Sequence, residues 1–283
     1  MRTENGYDKL YFKTVGGNEG DHCNYPTRLN TYGCGCQHDC KYCYAKSLLE
    51  FRKNWNAKYP NVADLKKIEK HLDSLPRDGK AIRLGGMTDC FQPVERVLGV
   101  TLGTIKLLNE RRMPYLIVTK SDLVADDVYM NAMDKDLAHI QISLTCTSDE
   151  QYRVLNYEKA PLPSRRISAI EKLQEAGFDV QVRLSPFIPE FIDFDILNSI
   201  KCDKILVEFL RVNAWVRKWF NIDYSEYCIT QGAYNHLPLY RKLEYIKNIT
   251  GFKRVSVCED ENKAYQYWKN HFNPNKDDCC DLR

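Results

Sequence analysis

From about residue 81 onward, short apolar runs alternate with amphipathic segments. "AIRLGG" (81–86), "YLIVTK" (115–120), "HIQISLT" (139–145), "DVQVRLSP" (179–186) and "KILVEF" (204–209) are too short for helices and read as strands buried on both faces. Between them lie helical patterns. Over 164–177, Ser164 stands where an N-cap belongs, Ile167, Ile170, Leu173 and Ala176 make one stripe, and Gly177 ends it. Residues 94–111 repeat the pattern with Leu98, Leu102, Ile105 and Leu108. Strand–helix alternation at this spacing predicts a parallel sheet with right-handed crossovers.

With a further strand near 28–32 the count is six βα units, short of the eight of a closed barrel. The expected fold class is therefore α/β, a partial (β/α)6 TIM-like barrel of parallel strands with a C-terminal extension. Residues 1–27 form an N-terminal arm, 28–210 the barrel core and 211–283 the extension. Within the extension, 211–250 is irregular and rich in Tyr and Trp. A last strand "RVSVCE" (254–259) and a helix over 261–272 lead to the tail "NPNKDDCCDLR".

Composition changes this picture little: 43% of the 283 residues are hydrophobic and 28% charged, an ordinary globular balance. The net charge of +3 excludes a global field for nucleic acid or membrane, so any basic surface is local. No run approaches the roughly 18 apolar residues of a spanning helix, and "MRTENGYDKLYF" lacks the apolar core of a secretory signal. The expectation is a cytoplasmic protein with no membrane partner. There the 12 cysteines stay reduced, and clustered ones bind metal more often than they pair.

"TYGCGCQHDCKYCYAKSLL" (31–49) places Cys34, Cys36, Cys40 and Cys43 within ten positions. Cys36, Cys40 and Cys43 form C-x3-C-x2-C. Structural zinc takes four ligands, usually as two C-x2-C-like pairs, whereas three cysteines in one loop suit three corners of a cubane whose fourth iron stays open. Zinc remains an alternative at this point, with Cys34 or His38 as fourth ligand.

The loop resembles the hallmark of the radical S-adenosylmethionine (SAM) superfamily, C-x3-C-x2-C with an aromatic, here Tyr42, before the last cysteine. "GCGCQHDCKYCYA", "MTDCFQPVE", "VTKSDLV", "SLT" and "NYEKAPLPSRRISAIEKLQEAGFDVQVRLSPFIP" occur in order over about residues 28–190 and are similar to the spore photoproduct lyase-like, or DNA repair photolyase, branch. The resemblance implies a [4Fe–4S] cluster on Cys36, Cys40 and Cys43 and SAM on the open iron. It also implies one-electron cleavage to a 5′-deoxyadenosyl radical that abstracts a substrate hydrogen, and a flavodoxin- or ferredoxin-type electron donor.

Residue by residue, Tyr42 and Tyr44 match aromatics beside the cluster and SAM, and Gly85, Gly86, Thr88 and Asp89 match the segment approaching the methionine amino group. Lys120 matches a lysine that pairs with the SAM carboxylate, and Ser143 a serine on the ribose. Arg183, a charge in an apolar strand, reaches either SAM or a structural carboxylate. The lyase carries a hydrogen-donating cysteine just before its Thr-Ser-Asp, where this chain has Gly86 or Met87. Cys90 and Cys146 are the substitutes at hand, and both also read as inert buried thiols.

A helix over 261–272 rises about 18 Å, so the run 273–280 can return Cys279 and Cys280 to Cys258. These three suggest a second iron–sulfur cluster. For a nucleic-acid substrate, a base or a lesion, "RVNAWVRKWF" (211–220) offers Arg211, Arg217 and Lys218 for phosphate and Trp215, Trp219 and Phe220 for stacking. The blander reading, slightly preferred, puts the Trp side chains in the core. A radical SAM enzyme acting on a peptide, nucleotide or small metabolite near the second cluster is the alternative, and a zinc-stabilised binding module is the non-catalytic one.

Overall fold

The computed structural model describes residues 12–14, 23–273 and 278–282. Most of the expected N-terminal arm and residues 274–277 of the tail lie outside them. Eight strands pair in chain order into one sheet: β1 (Phe12–Thr14), β2 (Thr27–Leu29), β3 (Ile82–Leu84), β4 (Tyr115–Thr119), β5 (Ala138–Leu144), β6 (Asp179–Phe187), β7 (Lys204–Phe209) and β8 (Arg254–Cys258). β1 runs antiparallel to β2, and every neighbouring pair from β2 to β8 is parallel. Sequential order with parallel neighbours makes the wall of a barrel, left open between its two edges. The strand 254–258, expected within the extension, is thus the seventh parallel strand of the core sheet.

Period-2 alternation sorts each strand into two faces. Ile140, Ile142 and Leu144 of β5, Val180, Val182 and Leu184 of β6 and Ile205, Val207 and Phe209 of β7 join the main hydrophobic core. The other face is also buried, but polar. Gln141 bonds Gln181 (2.7 Å), Gln181 bonds Ser256 (3.2 Å), and Arg183 bonds Gln141 (2.7 Å) and Glu208. Burying this many polar groups is tolerable only because each finds a partner.

The helices deviate locally from expectation. The segment expected as one helix over 94–111 breaks at Gly99, φ +61°, into Glu95–Leu98 and Val100–Glu110. The buried Glu95 carboxylate accepts from Thr101 N (2.9 Å) and Leu102 N (3.0 Å), capping the second piece from outside its own turn. Ser164 is not a cap: Pro163 opens the helix Pro163–Glu175, and Ser164 bonds Asp149 through its amide (2.9 Å) and hydroxyl (2.7 Å). Region 211–250 resolves into the helix Ala214–Trp219, a hairpin of Ile229–Gln231 with Tyr234–His236, and the helix Leu239–Ile246.

The tail folds back under the barrel. Ser256 Oγ donates to the Cys279 carbonyl (2.7 Å), and Asp281 pairs with Lys204 (3.1 Å) and Arg254 (2.8 Å), which start β7 and β8. Cys279, Cys280 and Leu282 pack with Tyr25, Ala81, Leu116 and Leu206, a second small core that plugs the barrel's lower end. Among the described residues no helix is long and apolar enough to cross a membrane.

Candidate active site

Above the plugged lower end, a cavity of about 500 Å³ lies within the barrel and at the C-terminal ends of its strands. Cys36, Cys40 and Cys43 face it from the loop after β2. That loop is held open by backbone choices: Cys34 has φ +54°, and a Cβ at Gly35 would stand 1.9 Å from the Asn56 carbonyl oxygen. Glycine alone fits there, which accounts for the "GCGC" run. Cys43 then caps the helix Tyr44–Phe51, its Sγ accepting from Lys46 N (3.5 Å). The helix N-terminus favours the thiolate.

The three thiols are otherwise poorly placed to ionise. Burial pushes Cys36 up to about 12 and raises Cys40 and Cys43 as well. A thiol trio whose negative charge the surrounding protein does not neutralise fits a cationic iron cluster, which makes up that charge on binding. Cys34 does not line the cavity. His38 does, 1% exposed; neither ring nitrogen makes a hydrogen bond, although Nε2 lies 3.3 Å from Asp89 Oδ2. Among the described residues no group of three or more His, Cys, Asp or Glu side chains is arranged around a single metal ion. A cubane spreads its ligands farther apart than one ion does.

Tyr42, Tyr44, Gly85, Gly86, Thr88, Asp89, Lys120, Ser143 and Arg183 all line this cavity. Gly85 has φ +79°, and a Cβ at Gly86 would meet Arg28 Cδ at 2.6 Å, so both positions call for glycine and the Arg28 side chain packs over Gly86. Tyr44 donates to the Gly86 carbonyl and Thr88 to the Tyr32 carbonyl. Asp89 clamps β3 to β4, accepting from Thr119 Oγ1 (2.7 Å), Lys120 N (2.7 Å) and Phe91 N (2.8 Å). Burial pushes its pKa up, but His38 and these donors more than offset it and hold the carboxyl below its usual range.

The protein anion beside Lys120 is Glu158, in the segment "NYEKAP". Lys120 Nζ lies 3.8 Å from Glu158 Oε2 and donates to the Ser185 carbonyl (3.0 Å). Arg166 Nη2 meets Glu158 Oε1 at 2.5 Å, the Tyr42 hydroxyl donates to Oε2, and Cys40 Sγ stands 3.5 Å away. Burial pushes Glu158 up, yet Arg166 and Lys120 outweigh it and bring it to about 2. Arg183 finds a structural carboxylate, Glu208, which burial raises but Arg183 and Arg211 bring to about 2. Ser143 is 5% exposed, and its carbonyl accepts from Arg166 Nη1 (3.0 Å).

Cys90 and Cys146, the candidate hydrogen donors, do not line the cavity. Cys90 is 0% exposed inside the hydrophobic core, and Cys146 donates to Ser148 O and Gln151 Oε1, both at 3.3 Å. Their surroundings are those of inert buried thiols. Sequence reasoning missed Glu158 and Glu208; the signal for Glu208 was a carboxylate within the apolar run "KILVEF". It also missed Cys23, which lines the cavity together with Cys258, Cys279 and Cys280.

At the rim, the helix Ala214–Trp219 turns Val216 and Phe220 into the core and leaves Trp215 38% exposed. The preferred placing of the Trp side chains in the core is therefore overturned. Trp215 packs against Trp219 at 5.3 Å between ring centres, with Lys46 5.4 Å from Trp219 and Lys218 5.7 Å from Trp215. Arg211 is not a free phosphate ligand, because Asp260 and Glu208 pair with it.

The structure of spore photoproduct lyase complexed with dinucleoside spore photoproduct superposes with a TM-score of 0.62 at 13% identity, covering 92% of this chain and 77% of that one. Streptococcus suis SuiB bound to S-adenosylmethionine gives 0.56 at 14% identity, covering 86% of this chain and 53% of that one. An uncharacterized protein of Methanocaldococcus jannaschii is 31% identical over 80% of this chain and 81% of its own length. An uncharacterized Mycobacterium tuberculosis protein is 27% identical over 56% of this chain, which spans about half of that relative, 49%. Residues 30–201, from the end of β2 to just before β7, match the radical SAM superfamily domain. With three cysteines facing a barrel cavity inside the matched span, the chain belongs to the radical SAM superfamily, enzymes that work with a [4Fe–4S] cluster and SAM.

Proposed function

We propose that this enzyme abstracts a hydrogen atom from a base or lesion of nucleic acid, in the manner of spore photoproduct lyase, as a repair lyase or a base-modifying enzyme. Cys36, Cys40 and Cys43 would hold the cluster, and the cavity they share with Gly85 and Gly86 leaves room for SAM beside it. Bound together, cluster and SAM supply a hydrogen-abstracting radical. The chain's own work is placement and exclusion of water: Lys120 offers a cation, Ser143 a hydroxyl, and the Glu158 and Glu208 networks keep both arginines from moving. A reducing cytoplasm and a small one-electron donor of flavodoxin or ferredoxin type belong to the same reading.

The observation that carries the nucleic-acid substrate is the Trp215–Trp219 pair, on the helix whose Val216 lines the cavity, with Lys218 beside Trp215. Aromatic faces beside flexible cations bind an unpaired base and its phosphates with little sequence preference, and a base must leave a duplex to reach a radical held in a barrel. The test is binding of single- and double-stranded oligonucleotides across a salt series. Single strands are expected to bind more tightly, with Trp215→Ala/Trp219→Ala weakening them at least about tenfold and leaving the salt slope intact. A chain that binds no oligonucleotide at low salt acts on something else. In that case SAM cleavage assayed with peptides, nucleotides and small metabolites, one at a time, identifies the substrate class.

A further inference from the structure

Four thiols meet where the tail enters the barrel. Cys258 ends β8, one edge of the sheet. Cys279 and Cys280 arrive on the tail, and Cys23 comes from the segment leading into β2, near the other edge. All four face the same cavity and pack around Tyr25, Leu116, Val118 and Leu206. Cys279 and Cys280 belong to one small packed cluster, with Cys23 and Cys258 against it.

We propose that Cys23, Cys258, Cys279 and Cys280 are the four ligands of a second iron–sulfur cluster, which closes the seam of the open barrel. A four-thiolate cluster is anionic, and the surroundings are cationic. The same cavity wall carries the guanidinium groups of Arg83, Arg183 and Arg211. The turn that presents the tail thiols is built for the purpose: Asp278 accepts from Cys280 N (2.9 Å) and Leu282 N (2.6 Å). With every iron at a thiolate corner the centre has no open position, so it stores an electron and pins the tail rather than gripping substrate. The inference is independent of the nucleic-acid reading.

Anaerobically purified wild type is expected to carry about eight irons and eight sulfides, and the Cys36→Ala/Cys40→Ala/Cys43→Ala variant about four of each. When that variant is reduced, its electron paramagnetic resonance signal stays unchanged on adding SAM. Adding Cys23→Ala lowers the remaining iron; iron that holds at about four overturns the four-ligand site. Should the variants fail to fold, the wild type still decides, because it must show two reduced signals of which SAM perturbs one. A wild type with about four irons that all respond to SAM refutes the second centre and leaves the radical reaction standing. Zinc in place of iron in the triple variant, or a disulfide among the four cysteines, refutes it equally.

Discussion

Glu158→Gln is the substitution that tests the polar packing beneath the cluster loop. The Glu158 carboxylate sits between Arg166, whose side chain is 1% exposed, and Lys120, and it also accepts from the Tyr42 hydroxyl. An amide keeps the shape and loses the charge, leaving the Arg166 guanidinium buried without a counter-ion. Breaking a buried pair from one side costs roughly 3–5 kcal/mol. A carboxyl held at about 2 instead of 4.5 gives a matching figure, roughly 3 kcal/mol at about 1.4 kcal/mol per tenfold. Because the folded-state value is depressed, this contribution is complete above about 4.5 and lost only as pH falls toward about 2. Between about pH 6 and 8 the deficit is therefore flat. Urea unfolding at neutral pH, with iron loading matched, is expected to show a midpoint lower by about 1 M. Asp127→Asn breaks the exposed pair with Lys172 (2.8 Å) and serves as the control that leaves the midpoint in place. A Glu158→Gln midpoint equal to that control, or a deficit that changes across neutral pH, refutes the reasoning.

Other expectations follow from single contacts. Lys120→Ala is expected to weaken SAM binding by about 10- to 100-fold with iron content unchanged, the range for losing a charge-assisted hydrogen bond; equal affinity in equilibrium dialysis removes Lys120 from the SAM site. Gly35→Ala drives a methyl into the Asn56 carbonyl and is expected to distort the cysteine loop, so that iron retained on anaerobic purification falls toward the level of the Cys36→Ala/Cys40→Ala/Cys43→Ala variant. Full iron in Gly35→Ala would show that the loop has room the structure does not give it.

Much of the candidate site's layout was legible because its signals are local. The C-x3-C-x2-C spacing needs only one turn of loop, and Gly85, Gly86, Lys120, Ser143 and Arg183 stand in or just after strands whose apolar runs announce them. Strand ends in a parallel barrel point to one mouth, so residues so placed share a cavity without further information. Cys90 shows the limit of this logic. It directly follows Asp89, which faces the cavity, and the Asp89 bonds to Thr119, Lys120 and Phe91 turn the next side chain into the core.

What the chain alone determined is therefore the alternation that builds the barrel wall, the cysteine loop and the strand-end residues around it, since each depends on spacings of a few residues. Tertiary structure decided the rest. Tyr42 and Glu158 are 116 positions apart, and Cys23 stands more than 230 before Cys258. Which face of 214–219 shows its tryptophans was settled by where Val216 and Phe220 found core to fill. Partners so distant in sequence carry no periodicity of their own, and only the closing of the sheet and the return of the tail beneath it bring them within reach.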